Sequence, residues 1–156
     1  MNKPVLYELL YCSSASQDLT PDDIANILNI SRKYNSEREI TGCLLYYEKQ
    51  FIQIIEGDKQ LIKGLFANIE KDIRHKNVIL LGENEKEKRF FNHWSMAFKE
   101  LSLSDMENID EVLKVNNFVT YNAFDYKMTK AMKLFCKLAK DPFKRLTESY
   151  QEILLS

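Results

Sequence analysis

The chain has 156 residues, of which 45% are hydrophobic and 12% aromatic, so one domain with a substantial buried core is expected. Its formal net charge of −1 provides no basic surface, which argues against a nucleic-acid partner. No apolar segment approaches the roughly 20 residues that a membrane helix requires, and no signal-peptide pattern opens the chain. The three cysteines are odd in number and widely spaced, so we interpret them as reduced thiols of a cytoplasmic protein.

The first half of the chain predicts a strand, a helix and a hairpin of two strands. Residues 5–12 are almost entirely apolar on both faces, as expected for an interior strand. Thr20 can act as a helix N-cap and Pro21 can occupy the first helical position, so a helix is expected over residues 21–35. The predicted hairpin comprises the apolar runs 40–47 and 51–55, joined by the polar residues 48–50.

Gln53 is an unusual residue on the second strand of that hairpin. Side chains alternate along a strand, so Gln53 shares a face with the apolar residues Phe51 and Ile55. That face should be buried, and a buried amide without a hydrogen-bond partner costs about 1–3 kcal/mol. The sequence therefore predicts a polar partner for Gln53.

The second half of the chain predicts a helix, two strands and further helices. A wide apolar stripe indicates a helix over residues 58–76, and a short apolar run indicates a strand over residues 78–81. The pattern Ser104–Glu107 is typical of a capping box that opens a third helix. Two more helices are expected, one from about Asp125 to Lys140 and one from Pro142 onward.

The last predicted strand, residues 94–98, follows a charged segment that offers little apolar surface for packing. We therefore expect this strand to be loosely held. Because side chains alternate along a strand, Trp94, Met96 and Phe98 should share one face.

The order of elements, β-α-β-β-α-β-β, predicts an α/β (α+β) fold of the ferredoxin-like type, with two helices on one face of the sheet. The C-terminal helices would then cover the opposite face. We expect residues 1–101 to form the core domain and residues 102–156 a helical extension packed on the sheet.

The sequence shows no recognisable catalytic or metal-binding pattern. The two histidines are not at metal-ligand spacing with a cysteine or an acid pair, and the four glycines form no phosphate loop. Glu8, Glu56 and Asp72 could act as acid–base groups, but hydrogen-bonded or solvated carboxylates are far more common in proteins. From the residues alone, the chain indicates a binding module rather than an enzyme.

Five separated motifs agree in order and spacing with one known family. They are Tyr11-Cys12-Ser13-Ser14, Asn35 with Ile40-Thr41-Gly42, Phe51-Ile52-Gln53 with Glu56-Gly57, Arg74-His75, and Trp94-Ser95-Met96. Over residues 4–101 the chain resembles the BLUF family of blue-light sensors, in its short stand-alone form. The resemblance implies a photoreceptor rather than an enzyme, with FAD as cofactor and FMN or riboflavin as alternatives.

The resemblance also implies a flavin ring held between the two core helices. Asn35 would bond the C4=O and N3–H edge, Arg74 the C2=O side, and Tyr34, where relatives often carry His or Asn, could stack or donate an electron. The binding residues implied in this way are Tyr11, Ile27, Tyr34, Asn35, Gln53, Ile69, Arg74 and His75, with the two isoleucines as apolar walls.

The photochemistry that the resemblance implies centres on Tyr11 and Gln53, hydrogen-bonded to each other. Light would drive electron and proton transfer from Tyr11 to the flavin, and Gln53 would end rearranged, with the flavin absorption slightly red-shifted. Trp94 or Met96 would sense the change, and the sequence leaves open which of them faces the flavin. The last strand and the C-terminal helices would carry the signal to a partner protein or within a homo-oligomer, without direct contact with nucleic acid or membrane.

Two other interpretations remain open at this stage. A hydrolase of the acyl-phosphate type, built on the same ferredoxin-like core, could use Arg74 and Asn35. A light-insensitive regulatory interaction domain is the third interpretation. Both predict a colourless protein, whereas the photoreceptor should be yellow.

Overall fold

The computed structural model describes residues 4–119 and 128–140. In these two ranges a five-stranded sheet carries helices on both faces. The strands are β1 (Leu6–Ala15), β2 (Thr41–Tyr47), β3 (Gln50–Asp58), β4 (His75–Glu85) and β5 (Ala97–Glu100). The helices are α1 (Pro21–Glu37), α2 (Lys59–Lys71), α3 (Leu103–Glu107), α4 (Ile109–Val115) and α5 (Lys130–Lys140).

The strand order across the sheet is β4-β1-β3-β2-β5. The central strands β1 and β3 pair antiparallel, and β4 and β2 extend the sheet antiparallel on either side. The short strand β5 joins the edge of β2 in the parallel direction. This order, with both crossover helices on one face, confirms the predicted ferredoxin-like fold.

Alternation along the central strands creates two separate apolar cores. Tyr7, Leu9 and Tyr11 of β1 pack with residues of α1 and α2 on what we call the helix-pair face. Leu10 and Cys12 point to the far face, where they pack with residues of α3, α4 and α5. The prediction that C-terminal helices cover the opposite face is confirmed for the part of the chain that the structure describes.

Local sequence signals set the start of α1 and the turn of the hairpin. The Thr20 hydroxyl accepts from the Asp23 backbone N–H at 3.1 Å, and the Thr20 N–H donates to the Asp23 carboxylate at 2.9 Å, a reciprocal capping box. Glu48 and Lys49 both adopt positive φ values of 42° and 69°, as the two-residue turn of a right-twisted hairpin requires. The link is therefore shorter than predicted, because Gln50 already belongs to β3.

The second helix ends five residues earlier than predicted. α2 stops at Lys71, and Asp72 follows in an extended conformation that lets its carboxylate accept the Arg74 backbone N–H at 2.9 Å. His75 then opens β4, which runs to Glu85 and is much longer than the predicted strand over residues 78–81. Pairing with β1 extends this strand through residues whose charged sequence does not indicate one.

The charged segment before β5 makes buried contacts with the sheet, which contradicts the premise of little packing behind the expected loose strand; the looseness of the strand itself stays a prediction. The Lys86 side chain is 3% exposed, and its ammonium lies 2.9 Å from Glu8 Oε2 and 2.6 Å from Glu56 Oε2. The Glu56 carboxylate also accepts the backbone N–H groups of Phe90 and Phe91, at 2.9 and 2.7 Å. Buried charges that are paired and hydrogen-bonded in this way tie the segment to the sheet.

The third predicted helix differs in its cap and its continuity. Ser102 and Asp105 form the capping box that opens α3, whereas we predicted the box at Ser104–Glu107. Asn108 then interrupts the helix, and a separate α4 follows. Sequence patterns of this type indicate a cap within a few residues, because neighbouring Ser and acidic residues compete for the same role.

The fourth predicted helix differs from the expectation at residues 128 and 129, which are not helical. α5 starts at Lys130, after Thr129, whose hydroxyl accepts the Met132 backbone N–H at 3.1 Å. The predicted start near Asp125 and the helix predicted from Pro142 lie outside the described residues. No helix in the described ranges is long and apolar enough to cross a membrane.

Candidate functional site

Tyr11 and Gln53 lie directly opposite each other on the two central strands. The Tyr11 hydroxyl donates a hydrogen bond to Gln53 Oε1, and the two residues are only 1% and 7% exposed. Burial, reinforced by the nearby charge of Asp72, raises the pKa of the Tyr11 phenol well above its usual value. The phenol is therefore a protonated donor, and it is the polar partner predicted for Gln53.

The other end of the Gln53 amide has a weaker partner. Gln53 Nε2 donates to Met96 Sδ at 3.1 Å, and a thioether sulfur is a poor acceptor. Met96 is 1% exposed and belongs to the helix-pair face. Tyr11, Gln53 and Met96 thus form a continuous buried chain of polar contacts.

Trp94 and Met96 lie on opposite faces of the sheet, which corrects the expectation that Trp94, Met96 and Phe98 share one face. Met96 and Phe98 belong to the helix-pair face. Trp94 packs on the far face, edge-to-face with Phe118 at 5.1 Å between ring centroids. The alternation rule fails here because β5 begins only at Ala97, after the chain has bent at residues 95 and 96.

Asn35, in the last turn of α1, carries a buried polar atom without a partner. Its side-chain Nδ2 donates to the Ser95 carbonyl at 2.8 Å, but Oδ1 accepts no hydrogen bond from the described residues. Asn35 is 2% exposed, so this vacant acceptor costs about 1–3 kcal/mol. A ligand with an N–H donor, such as the imide N3–H of a flavin, fits this position.

The two isoleucines that the sequence predicts as apolar walls lie on α1 and α2. Ile27 of α1 and Ile69 of α2 are half-buried, and so is Tyr34, whose ring is covered by Arg38 at 3.6 Å from guanidinium carbon to ring centroid. A cavity of about 230 Å³ opens beside Ile27 and Arg74. Its remaining lining residues are Ser16, Gln17, Leu19, Asp23, Asn26 and Ile73.

Arg74 lies in the link between α2 and β4, His75 is the first residue of β4, and both have hydrogen-bond partners. The Arg74 Nε lies 3.0 Å from the Asp72 carboxylate, and this hydrogen bond lowers the pKa of Asp72. His75 Nδ1 lies 2.8 Å from the buried Ser13 hydroxyl. Burial lowers the pKa of His75, so its ring, edge-on to Tyr11 with centroids 6.4 Å apart, favours the neutral form.

The structure therefore joins Tyr11, Gln53 and Met96, and it places Trp94 elsewhere. The sequence analysis did not assign three residues that hydrogen-bond to residues of this site. They are Arg32, which binds Met96, Ser13, which binds His75, and Asp72, which binds Arg74. Ser13 lies inside the first family motif, but a serine two residues after a tyrosine carries no signal of its own. No group of three or more His, Cys, Asp or Glu residues in the described ranges could hold a metal ion.

Comparison with known proteins identifies the architecture. A family model described as sensors of blue light using FAD matches residues 6–97. The photoactivated adenylate cyclase subunit alpha of Euglena gracilis is 38% identical over 74 residues, which is 47% of this chain and 7% of that protein. The chain thus spans a small fraction of that relative's length.

Two solved structures resemble the whole described architecture. The BLUF domain of BlrP1, a Klebsiella pneumoniae protein, is 26% identical with a TM-score of 0.73, covering 90% of this chain and 93% of that one. BlrB, described as a BLUF protein in its dark state, is 26% identical with a TM-score of 0.65, covering 87% and 96%. The family consists of sensors, which supports the predicted photoreceptor over the acyl-phosphate hydrolase. With its family match over more than half of the sequence, the chain belongs to the BLUF family of blue-light sensors that use FAD.

Proposed function

We propose that this chain is a blue-light photoreceptor that binds a flavin, FAD in preference to FMN or riboflavin, in the cleft between α1 and α2. Asn35 would hold the imide edge, because its Oδ1 is buried and lacks a donor among the described residues. Ile27 and Ile69 would contact the two ring faces, with Tyr34 beside them. Arg74 would bind the C2=O side through the part of its guanidinium that Asp72 does not use.

The chain of contacts through Tyr11, Gln53 and Met96 is the observation that carries this proposal. Bound flavin would supply the absorption of blue light and an acceptor for one electron and one proton. Tyr11 would lose an electron and release its proton along its hydrogen bond to Gln53 Oε1. Because Tyr11 is otherwise held protonated by burial, the proton returns to it when the electron does.

Gln53 can remain changed after the electron and proton have returned, because its amide has two hydrogen-bonding arrangements. In the present one, Oε1 accepts from Tyr11 and Nε2 donates to Met96 Sδ. Rotation of the amide, or its tautomerism, would exchange the donor and acceptor ends. Little is lost at Met96, since its sulfur is a weak acceptor, so light can bias this pair of states.

We further propose that the change at Met96 passes through β5 to the C-terminal helices and from there to a partner protein or a second copy of the chain. Residues 1–101 would form the photosensory core and residues 102–156 the output layer. The three cysteines are free and buried, which suits a reducing compartment such as the cytoplasm.

The absorption spectrum of the purified protein before and after blue light tests this function. We expect flavin bands that shift to longer wavelength on illumination and recover in darkness. Tyr11→Phe should retain the flavin and lose the shift, because it lacks the proton that Gln53 accepts. A colourless protein, a spectrum that light leaves unchanged, or a full shift in Tyr11→Phe would each contradict the proposal.

A further inference from the structure

Three consecutive backbone carbonyls before β5 are each held by a donor from outside their own segment. The Trp94 oxygen accepts the Gly42 backbone N–H at 3.1 Å, the Ser95 oxygen accepts Asn35 Nδ2 at 2.8 Å, and the Met96 oxygen accepts Arg32 Nε at 3.0 Å. We call residues 94–96 the bend segment. Two of its three donors come from α1.

The bend segment needs such restraint because its backbone departs from an extended strand. In an extended chain, residues two apart point to the same side, yet Met96 faces Gln53 and Trp94 faces Phe118 across the sheet. The adjoining strand β5 has four residues and pairs with β2 at the sheet edge. Such a short edge strand cannot by itself impose the bend.

We propose that Arg32 is the positioning residue that keeps Met96 against Gln53 and Trp94 on the far face. Its guanidinium binds the carbonyl of Met96 itself, and a charged donor in a partly buried setting makes a stronger hydrogen bond than a neutral one. If the proposed function is correct, Asn35 also binds the flavin, so its side chain serves both the flavin and the Ser95 carbonyl. Arg32 is then the α1 donor that binds the bend segment and has no role in binding the flavin.

Loss of Arg32 lets the bend segment relax toward an extended conformation, which favours Trp94 and Met96 on the same side. Trp94 would then leave Phe118 and the Asn117 carbonyl, which now accepts its indole N–H at 2.6 Å. Trp94 is the single tryptophan of the chain. Its fluorescence therefore reports the bend segment directly and without reference to the light response.

The test uses full-length Arg32→Gln, prepared flavin-free and kept in darkness. We expect the acrylamide quenching constant of Trp94 to rise about two-fold or more, and amide hydrogen exchange over residues 94–100 to accelerate, because local opening becomes easier. Lys33→Gln is the matched control: it removes the same charge from an exposed neighbour on α1. Arg32→Lys keeps a cationic donor and should fall between wild type and Arg32→Gln.

The inference is overturned if Arg32→Gln and Lys33→Gln show the same Trp94 quenching constant and the same amide exchange over residues 94–100. If Arg32→Gln does not fold, as judged by far-UV circular dichroism, the same two measurements are made on Arg32→Lys. Trp94 quenching and amide exchange at wild-type levels in Arg32→Lys would then refute the positioning role of Arg32. A wild-type chain that shows no light response would refute the proposed function and leave this test intact.

Discussion

Gln53 has two partners of very different strength on the two ends of one amide. The Tyr11 hydroxyl donates a hydrogen bond to its oxygen, whereas the Met96 sulfur is a poor acceptor for its nitrogen. A buried amide with two strong partners would be locked, and one with none would be costly. The unequal arrangement stabilises one orientation while leaving the other accessible.

Asn35 presents the opposite situation, with an acceptor that is fully buried and unsatisfied by the described residues. Asn35→Ala removes this acceptor, so we expect FAD to bind about tenfold to a hundredfold more weakly, as the loss of one or two buried hydrogen bonds implies. Titration of the flavin-free protein with FAD, followed by flavin fluorescence, measures this change. Asn29→Ala, an exposed change on the same helix, should bind like wild type. An Asn35→Ala affinity within a factor of about two of wild type would remove Asn35 from the flavin site.

At the scale of single elements, sequence signals succeeded where the interactions are local. The start of α1 follows from Thr20 and Asp23, and the inward face of β3 follows from alternation through Gln53. The end of α2 could not be predicted, because it depends on Asp72 binding Arg74 outside the helix. The length of β4 depends on pairing with β1, which a charged strand sequence does not reveal.

The candidate site shows the same division. That Gln53 has a polar partner was predictable because a buried amide needs one, whereas the resemblance to the family was needed to identify Tyr11 as that partner. The opposite placement of Trp94 and Met96 was not predictable, because it depends on two α1 donors that lie 60 and 64 residues away in sequence from the carbonyls they bind. Alternation applies only where the backbone is a strand.

The anchored charges beside β4 lead to a stability prediction for that connection. Lys86→Met leaves the carboxylates of Glu8 and Glu56, both fully buried, without their shared cation. We expect the free energy of unfolding to fall by about 3–5 kcal/mol, the usual cost of breaking a buried ion pair from one side. Urea unfolding followed by far-UV circular dichroism measures it, with Lys133→Met on the exposed side of α5 as control. Equal unfolding midpoints for the two variants would show that the buried charges contribute little to holding the segment.

At the scale of the whole molecule, β1 and β3 serve both cores at once. Their odd-numbered residues face the core that includes Tyr11 of the candidate site, and their even-numbered residues support the far layer of α3, α4 and α5. A structural change in the helices on one face therefore alters the strands against which the helices on the other face pack. This shared sheet gives a physical reason to expect the two layers to unfold together, although their sequences suggest a core and an extension.

Phe135 on α5 tests that coupling from the side opposite the site. It is 0% exposed and packs edge-to-face on Phe91, with ring centroids 6.2 Å apart. We expect Phe135→Ala to lower the free energy of unfolding by about 3–5 kcal/mol through the cavity it leaves. Because β1 and β3 are shared, flavin release and loss of circular dichroism should move together to lower urea concentration, while Lys137→Ala, exposed on the same helix, should leave both in place. Two separate transitions, with flavin retained after α5 has unfolded, would instead mean that the photosensory core is stable without its far layer, and that signals must cross between independently folded parts.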